Sequence, residues 1–246
     1  MHIIAPFERR FREVSSVADL MIAMTDLCAA IGFEFFALTH HGDISRMHRA
    51  AIRLHNYPSR WAEYYNRNGL GMSDPVHRAS HMTNAGFLWS RMTDFIGLTA
   101  GDRRVLALGS EHGIGDGYTV PANVPGELLG SCSFANRTGR PIEPEMWLRA
   151  QAAGALAFDG ARRLWSVRGQ SDKAMPVLTD RQRECILWAA RGKGDWEIAR
   201  ILGISEETVA RHIRQACARY GLSKRTPLTV RTIADGTITV TDAMLY

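Results

Sequence analysis

Tyr57, Trp61 and Tyr65 recur at i, i+4 and i+8, and Asp74 and Trp89 follow soon after. On a helix the first three share one side. An indole N–H only donates a hydrogen bond, a phenol donates or accepts, and a carboxylate only accepts. Grouped among apolar walls, these side chains suit a small molecule with carbonyl acceptors and one amide N–H. A plainer reading keeps the aromatics in a core and leaves Asp74 as a helix cap. Both readings stand at this level.

A second constellation lies in the stretch 178–222. Thr179 and Gln182 form a capping box, so a helix should start near Asp180, turn Ile186, Ala189 and Ala190 inward and run out at Gly192. Asp195 is expected to cap the next helix, which carries Ile198, Ala199 and Leu202 and ends at Gly203. Ser205 should cap a third, from Glu206 to about Tyr220. Helix, glycine-containing turn, helix is the helix-turn-helix layout. Val209, Ile213, Ala216, Cys217 and Tyr220 make the buried stripe of the third helix. Its opposite face carries Glu207, Arg211, Arg214 and Ala218, flanked by Thr208, Gln215 and Arg219. Arginine can bond guanine edges or phosphates, alanine permits close approach, and Lys224 and Arg225 can clamp phosphates just beyond.

These residues resemble the DNA-binding domain of LuxR-type transcriptional regulators. The matching pattern runs Leu178-Thr179-x-Arg181-x-x-Glu184, Trp188-x-Ala190-x-Gly192-Lys193, Trp196-Glu197-Ile198-Ala199 and Ser205-x-x-Thr208-Val209-x-x-His212. It covers the whole domain. The resemblance implies double-stranded DNA as a partner and contacts drawn from Lys193, Thr208, Arg211, His212, Arg214, Gln215, Lys224 and Arg225. Gln182 replaces the family's usual glutamate but still completes the capping box, and Ile186 replaces its usual leucine. Position 210, an arginine that reads bases in some relatives, is Ala210 here, so the operator sequence does not carry over.

The elements that must position the aromatics alternate in type. Helices are expected over 16–31, 59–66, 74–80, 100–112 and 143–165, with Asp74-Pro75 as a cap and first-turn pair. Strands are expected over 33–39, 50–55, 117–121 and 127–135, the last two joined across 123–126. The fold class is therefore α+β. An N-terminal α/β/α sandwich surrounds an antiparallel sheet over 1–166. A linker at 167–176 leads to a small all-α helix-turn-helix domain over 177–246.

From about Ser16 to Trp165 the chain resembles the autoinducer-binding domain of LuxR-type quorum-sensing receptors. The resemblance rests on Tyr57-Pro58-x-x-Trp61-x-x-x-Tyr65, Asp74-Pro75, Trp89 and Gly117-x-x-x-Pro121. It implies an N-acyl homoserine lactone as ligand and a homodimer that reads a two-fold symmetric operator. Trp61 would donate to the lactone carbonyl, Asp74 would accept the amide N–H, and Tyr57 and Ser133 would donate to the acyl carbonyl. Tyr65 and Trp89 would wall the pocket, and Gly117 would be needed where its strand starts. Ala37 and Thr39 would line the channel for the tail. His77 either faces solvent or shapes ligand preference.

The formal net charge of +5 permits a polyanionic partner. Cys28, Cys132, Cys185 and Cys217 show no C-x-x-C spacing and read as buried free thiols of a cytoplasmic protein. No apolar run reaches membrane-spanning length, and no signal-peptide core is seen. His40, His41 and His48 lack partners at zinc spacing and read as a solvated loop, so no metal is expected. No nucleophile–base pairing is legible, so neither catalytic residues, a cofactor nor an enzyme is expected. Two functions remain open: a lactone-responsive dimeric regulator, or a DNA-binding regulator of the same architecture that answers another small molecule or none. A phosphorylated receiver domain fits less well, because the N-terminal half lacks the acidic cluster.

Overall fold

The structure, a computed structural model, describes residues 3–41, 51–124, 127–169 and 176–244, without the side chains of 166–169. They form two compact units, the second beginning after Ser171.

In the first unit, α1 (Ala5–Glu13) precedes α2 (Val17–Ala30), whose N-cap Ser16 accepts from the Asp19 N–H. Strand β1 (Phe35–His40) follows, then β2 (Arg53–His55), α3 (Ser59–Arg67) and α4 (Pro75–Ser80). A two-residue β3 (Phe87–Leu88) leads into a 3-10 helix over Trp89–Asp94. Helix α5 (Ala100–Glu111), strands β4 (Ile114–Ala122) and β5 (Gly130–Arg137) and helix α6 (Pro144–Gly169) complete it. The strands form one antiparallel sheet in the order β2-β1-β5-β4-β3.

Strand alternation gives the sheet two different faces. Phe36, Leu38, Cys132, Phe134, Tyr118 and Val120 are buried in a core shared with α1, α2 and α6. The other face is more polar and stepped in rows. Phe35, Ala135 and Gly117 pair in the first row. His55, Ala37, Ser133 and Thr119 form the second, and Arg53, Thr39, Ser131 and Pro121 the third. Helices α3, α4 and α5 lie over this face, which completes the expected sandwich.

The second unit contains α7 (Asp180–Ala190), α8 (Asp195–Leu202), α9 (Glu206–Arg219), α10 (Arg225–Ala234) and α11 (Val240–Met244). Its core gathers Cys185, Ile186, Ile198, Val209, Ile213, Ala216 and Leu228. Gly203 at φ 67° ends α8 in the left-handed region, and the chain turns directly into α9.

Several expectations change. Asp195 is not the cap of α8: Gly194 holds that position, and Glu197 Oε2 accepts its N–H at 2.8 Å. Helix α6 continues to Gly169, so the first residues expected in the linker are helical, and 170–175 lie outside the described residues. So do Ala50, His48 and half of the turn at 123–126. Ala189 and Ala190 are only half-buried, while Cys185 is fully buried. All four cysteines are free and buried, and burial pushes the Cys28 thiol up to about 12.

Candidate ligand pocket and nucleic-acid interface

Between the polar sheet face and the helices over it lies a cavity of about 870 Å³. Tyr57, Trp61, Tyr65, Asp74, Trp89 and Ser133 all line it, so the structure brings every pocket residue expected from the sequence to one place. The core and pocket readings of the aromatics also merge. Trp61 is 7% exposed and packs edge-on to Tyr65, with ring centroids 5.6 Å apart, yet both border the cavity.

Asp74 likewise does two things. Its Oδ1 accepts from the Val76 N–H at 2.8 Å and caps α4, while its Oδ2 accepts from the Tyr65 hydroxyl at 2.6 Å. A carboxylate can accept about four hydrogen bonds, so capacity remains on the cavity side. Burial, reinforced by the nearby Asp74 charge, pushes the Tyr57 and Tyr65 phenols up and keeps both as donors. The Trp61 indole N–H and the Tyr57 hydroxyl have no hydrogen-bond partner among the described residues.

Ser133 is oriented by a relay that the sequence reading missed. The Trp89 indole N–H donates to Thr119 Oγ1 at 2.8 Å, and Thr119 Oγ1 lies 2.8 Å from Ser133 Oγ. Trp89 can only donate. If Thr119 passes its own proton to Ser133, the Ser133 hydroxyl is left free to donate into the cavity. Thr119 sits opposite Ser133 in the sheet register, a pairing visible only once the two strands are aligned.

Gly117 serves a different end from the one expected. Strand β4 begins at Ile114, so Gly117 lies inside it, beside a register shift. The Trp89 indole lies against its backbone, and a Cβ there would come within 2.5 Å of Trp89 Cε2. Gly117→Ala is therefore expected to displace Trp89, break the relay to Ser133 and cost about 1–3 kcal/mol by overpacking. Urea denaturation followed by tryptophan fluorescence measures both effects.

The histidines also depart from expectation. His40 and His41 are buried rather than part of a solvated loop. His77 does not face solvent: it lines the cavity and stacks on His41 with centroids 3.9 Å apart. His41 Nδ1 lies 2.8 Å from His81 Nε2, and its Nε2 lies 2.9 Å from Ser131 Oγ. Burial, with His77 and His81 adjacent, lowers the His41 pKa far below the ordinary histidine range and keeps it neutral. Among the described residues no cluster of three or more His, Cys, Asp or Glu is arranged to hold a metal.

Helix α4, which presents Asp74, is braced against α5. The Arg78 guanidinium bonds both oxygens of the buried Asp102 at 3.0 and 3.2 Å. Burial alone would raise the Asp102 pKa. The Thr99 N–H and hydroxyl, together with Arg78, outweigh it and hold the carboxyl below the ordinary range. Its contribution to stability is thus present above that range and lost as pH falls through the depressed value.

On the second unit the DNA candidates separate by what already holds them. Arg211 and Arg214 on α9 and Lys224 beyond it are exposed and make no ion pair among the described residues. Arg225, by contrast, bonds Asp195 Oδ1 at 2.6 Å and also donates to the Lys193 carbonyl. It fastens the start of α10 to the start of α8, so its guanidinium is already engaged within the domain. Lys193 pairs with Glu197 at 3.2 Å, and Gln215 accepts from the Gln182 amide at 3.3 Å. Thr208 shares its hydroxyl with Ser205, and His212 is half-buried with Nδ1 unpartnered among the described residues.

Comparison with known proteins places both units. Residues 16–164 match the model for the autoinducer binding domain, and residues 176–232 match that for bacterial regulatory proteins of the luxR family. The transcriptional activator protein LuxR of Aliivibrio fischeri (strain ATCC 700601 / ES114) is 28% identical over 226 residues, 89% of this chain and 88% of the relative. The crystal structure of Escherichia coli SdiA superposes with a TM-score of 0.67 at 22% identity, covering 96% of this chain and 99% of that one. SdiA in complex with octanoyl-rac-glycerol superposes at 0.66 and 21% identity, covering 94% of this chain and 93% of that one.

Proposed function

The chain belongs to the luxR family of transcriptional regulators with an autoinducer-binding domain, and from that premise we propose that it binds an N-acyl homoserine lactone and, as a homodimer, a two-fold symmetric DNA site. The observation that carries this reading is the donor and acceptor set facing the cavity. Trp61 and Tyr57 offer unpartnered donors, Ser133 a third through its relay, and Asp74 spare acceptor capacity. An acyl homoserine lactone has two carbonyls to accept the donors and one amide N–H for Asp74. Left unpaired in such a site, the amide would cost a few kcal/mol.

On this reading Trp61 donates to the lactone carbonyl, Asp74 accepts from the amide N–H, and Tyr57 and Ser133 donate to the acyl carbonyl. Tyr65 holds Asp74 in place. DNA is gripped through Arg211, Arg214 and Lys224, the cations of the DNA-facing set that make no ion pair among the described residues. The supported role is regulation of transcription, with no catalytic step.

A second reading, a non-lactone acyl ligand, has one observation in its favour. The structural neighbour SdiA is described in complex with octanoyl-rac-glycerol, which also presents a carbonyl and hydroxyls. A thermal-shift panel of acyl homoserine lactones and acylglycerols separates the two. Ligand at about 100 times Kd adds roughly 2.7 kcal/mol to folded-state stability, a rise of several degrees. Stabilisation by lactones is expected. Stabilisation by acylglycerols alone would favour the second reading.

A further inference from the structure

Resting on the lactone reading, we infer that Arg53 is a specificity-determining residue that selects ligands whose acyl chain ends in a carboxylate. The sheet register sets the distances along the cavity. Trp61 packs with Phe35, Ile114 and Ala135, at the level of the first row of the polar face. Ser133 and Thr119, which address the acyl carbonyl, occupy the second row. Arg53 stands in the third, opposite Thr39 and on the same face as Ala37 and Ser133. At about 3.4 Å per residue, one row is about 7 Å along the strand. Arg53 lies one row on from Ser133 and two strands, about 10 Å, to its side, across β1. Ala37 and Thr39 of β1 line the cavity between them, so an acyl chain that crosses β1 from Ser133 reaches Arg53.

The third row contains no competing free donor. Thr39 Oγ1 donates to the His40 carbonyl at 3.0 Å, and Ser131 Oγ lies 2.9 Å from His41 Nε2. Arg53 lines the cavity, is exposed, and makes no ion pair or side-chain hydrogen bond among the described residues. Among the described residues the acidic groups lining the cavity are held away from the third row: Asp116 accepts from the Ser90 and Gly117 N–H groups beside the first row, and Asp74 from Tyr65 and Val76. A lone guanidinium on the wall favours a planar carboxylate, which accepts two parallel hydrogen bonds.

The test compares an acyl homoserine lactone ending in a carboxylate with its methyl ester of equal chain length, by titration calorimetry on the full chain. Wild-type protein is expected to prefer the carboxylate by about tenfold. Arg53→Met, which keeps an unbranched side chain and removes the charge, should abolish or reverse that preference, and Arg53→Lys should keep part of it. Equal binding of both probes, or preference for the ester, by wild-type protein overturns the inference and leaves the lactone reading standing. If neither probe nor any unsubstituted lactone binds, both fall. The wild-type comparison decides the matter even if a variant fails to fold.

Discussion

Asp74→Asn is expected to weaken lactone binding about 10- to 100-fold with little change in melting temperature. The substitution removes one charge-assisted hydrogen bond to a buried amide, worth about 1.5–3 kcal/mol. The two effects separate because Asp74 has two tasks. Asparagine is as good an N-cap as aspartate, so the bond to the Val76 N–H survives. The Tyr65 hydroxyl, which donates to Oδ2 in the wild type, can turn and accept from the new amide instead. Only the ligand loses, because an N–H donor now faces its own N–H. Calorimetry for affinity and circular dichroism for melting give both numbers. Unchanged affinity would leave Asp74 as a helix cap and no more.

The second large effect is expected on DNA. Arg211→Ala and Arg214→Ala should each lower operator affinity about 10- to 100-fold, the range of one good arginine contact. Both side chains are exposed and make no ion pair among the described residues, so melting temperature and lactone binding should stay within error. Arg225→Ala is the control that separates reading DNA from holding the domain together. Its guanidinium joins α10 to Asp195 and the Lys193 carbonyl, so its loss should lower stability first. Fluorescence anisotropy on a labelled operator, across a range of salt, measures the first pair. Affinity should also fall steeply with salt, because each phosphate neutralised releases counterions. If neither α9 arginine matters, the outer face of that helix does not read DNA.

What could be read from the sequence follows a physical division. Most signals that a residue carries with its near neighbours were legible, the α8 cap being the exception, since Gly194 and not Asp195 holds it. The capping box of Thr179 and Gln182, the apolar stripe of α9 and the Asp74-Pro75 helix start all appear where expected. Tyr57, Trp61, Tyr65 and Asp74 sit close enough along the chain for their grouping to be read directly. Features made by pairing distant segments were not legible. Thr119 matters because β4 lies beside β5, and Arg53 because β2 lies beside β1. His77 leaves solvent because His41 arrives to stack on it. Arg225 becomes structural because Asp195 meets it across the fold. The two-residue β3 and the short α11 offer too little periodicity to be seen at all.

Occupation of the cavity by a lactone is the central requirement of this function. The direct measurement is to incubate the purified full chain with a panel of N-acyl homoserine lactones, remove free ligand, extract with solvent and quantify what was retained by mass spectrometry. Recovery of one lactone per chain, markedly reduced for Asp74→Asn, is the expected result. A chain that retains no lactone at any acyl length would contradict it.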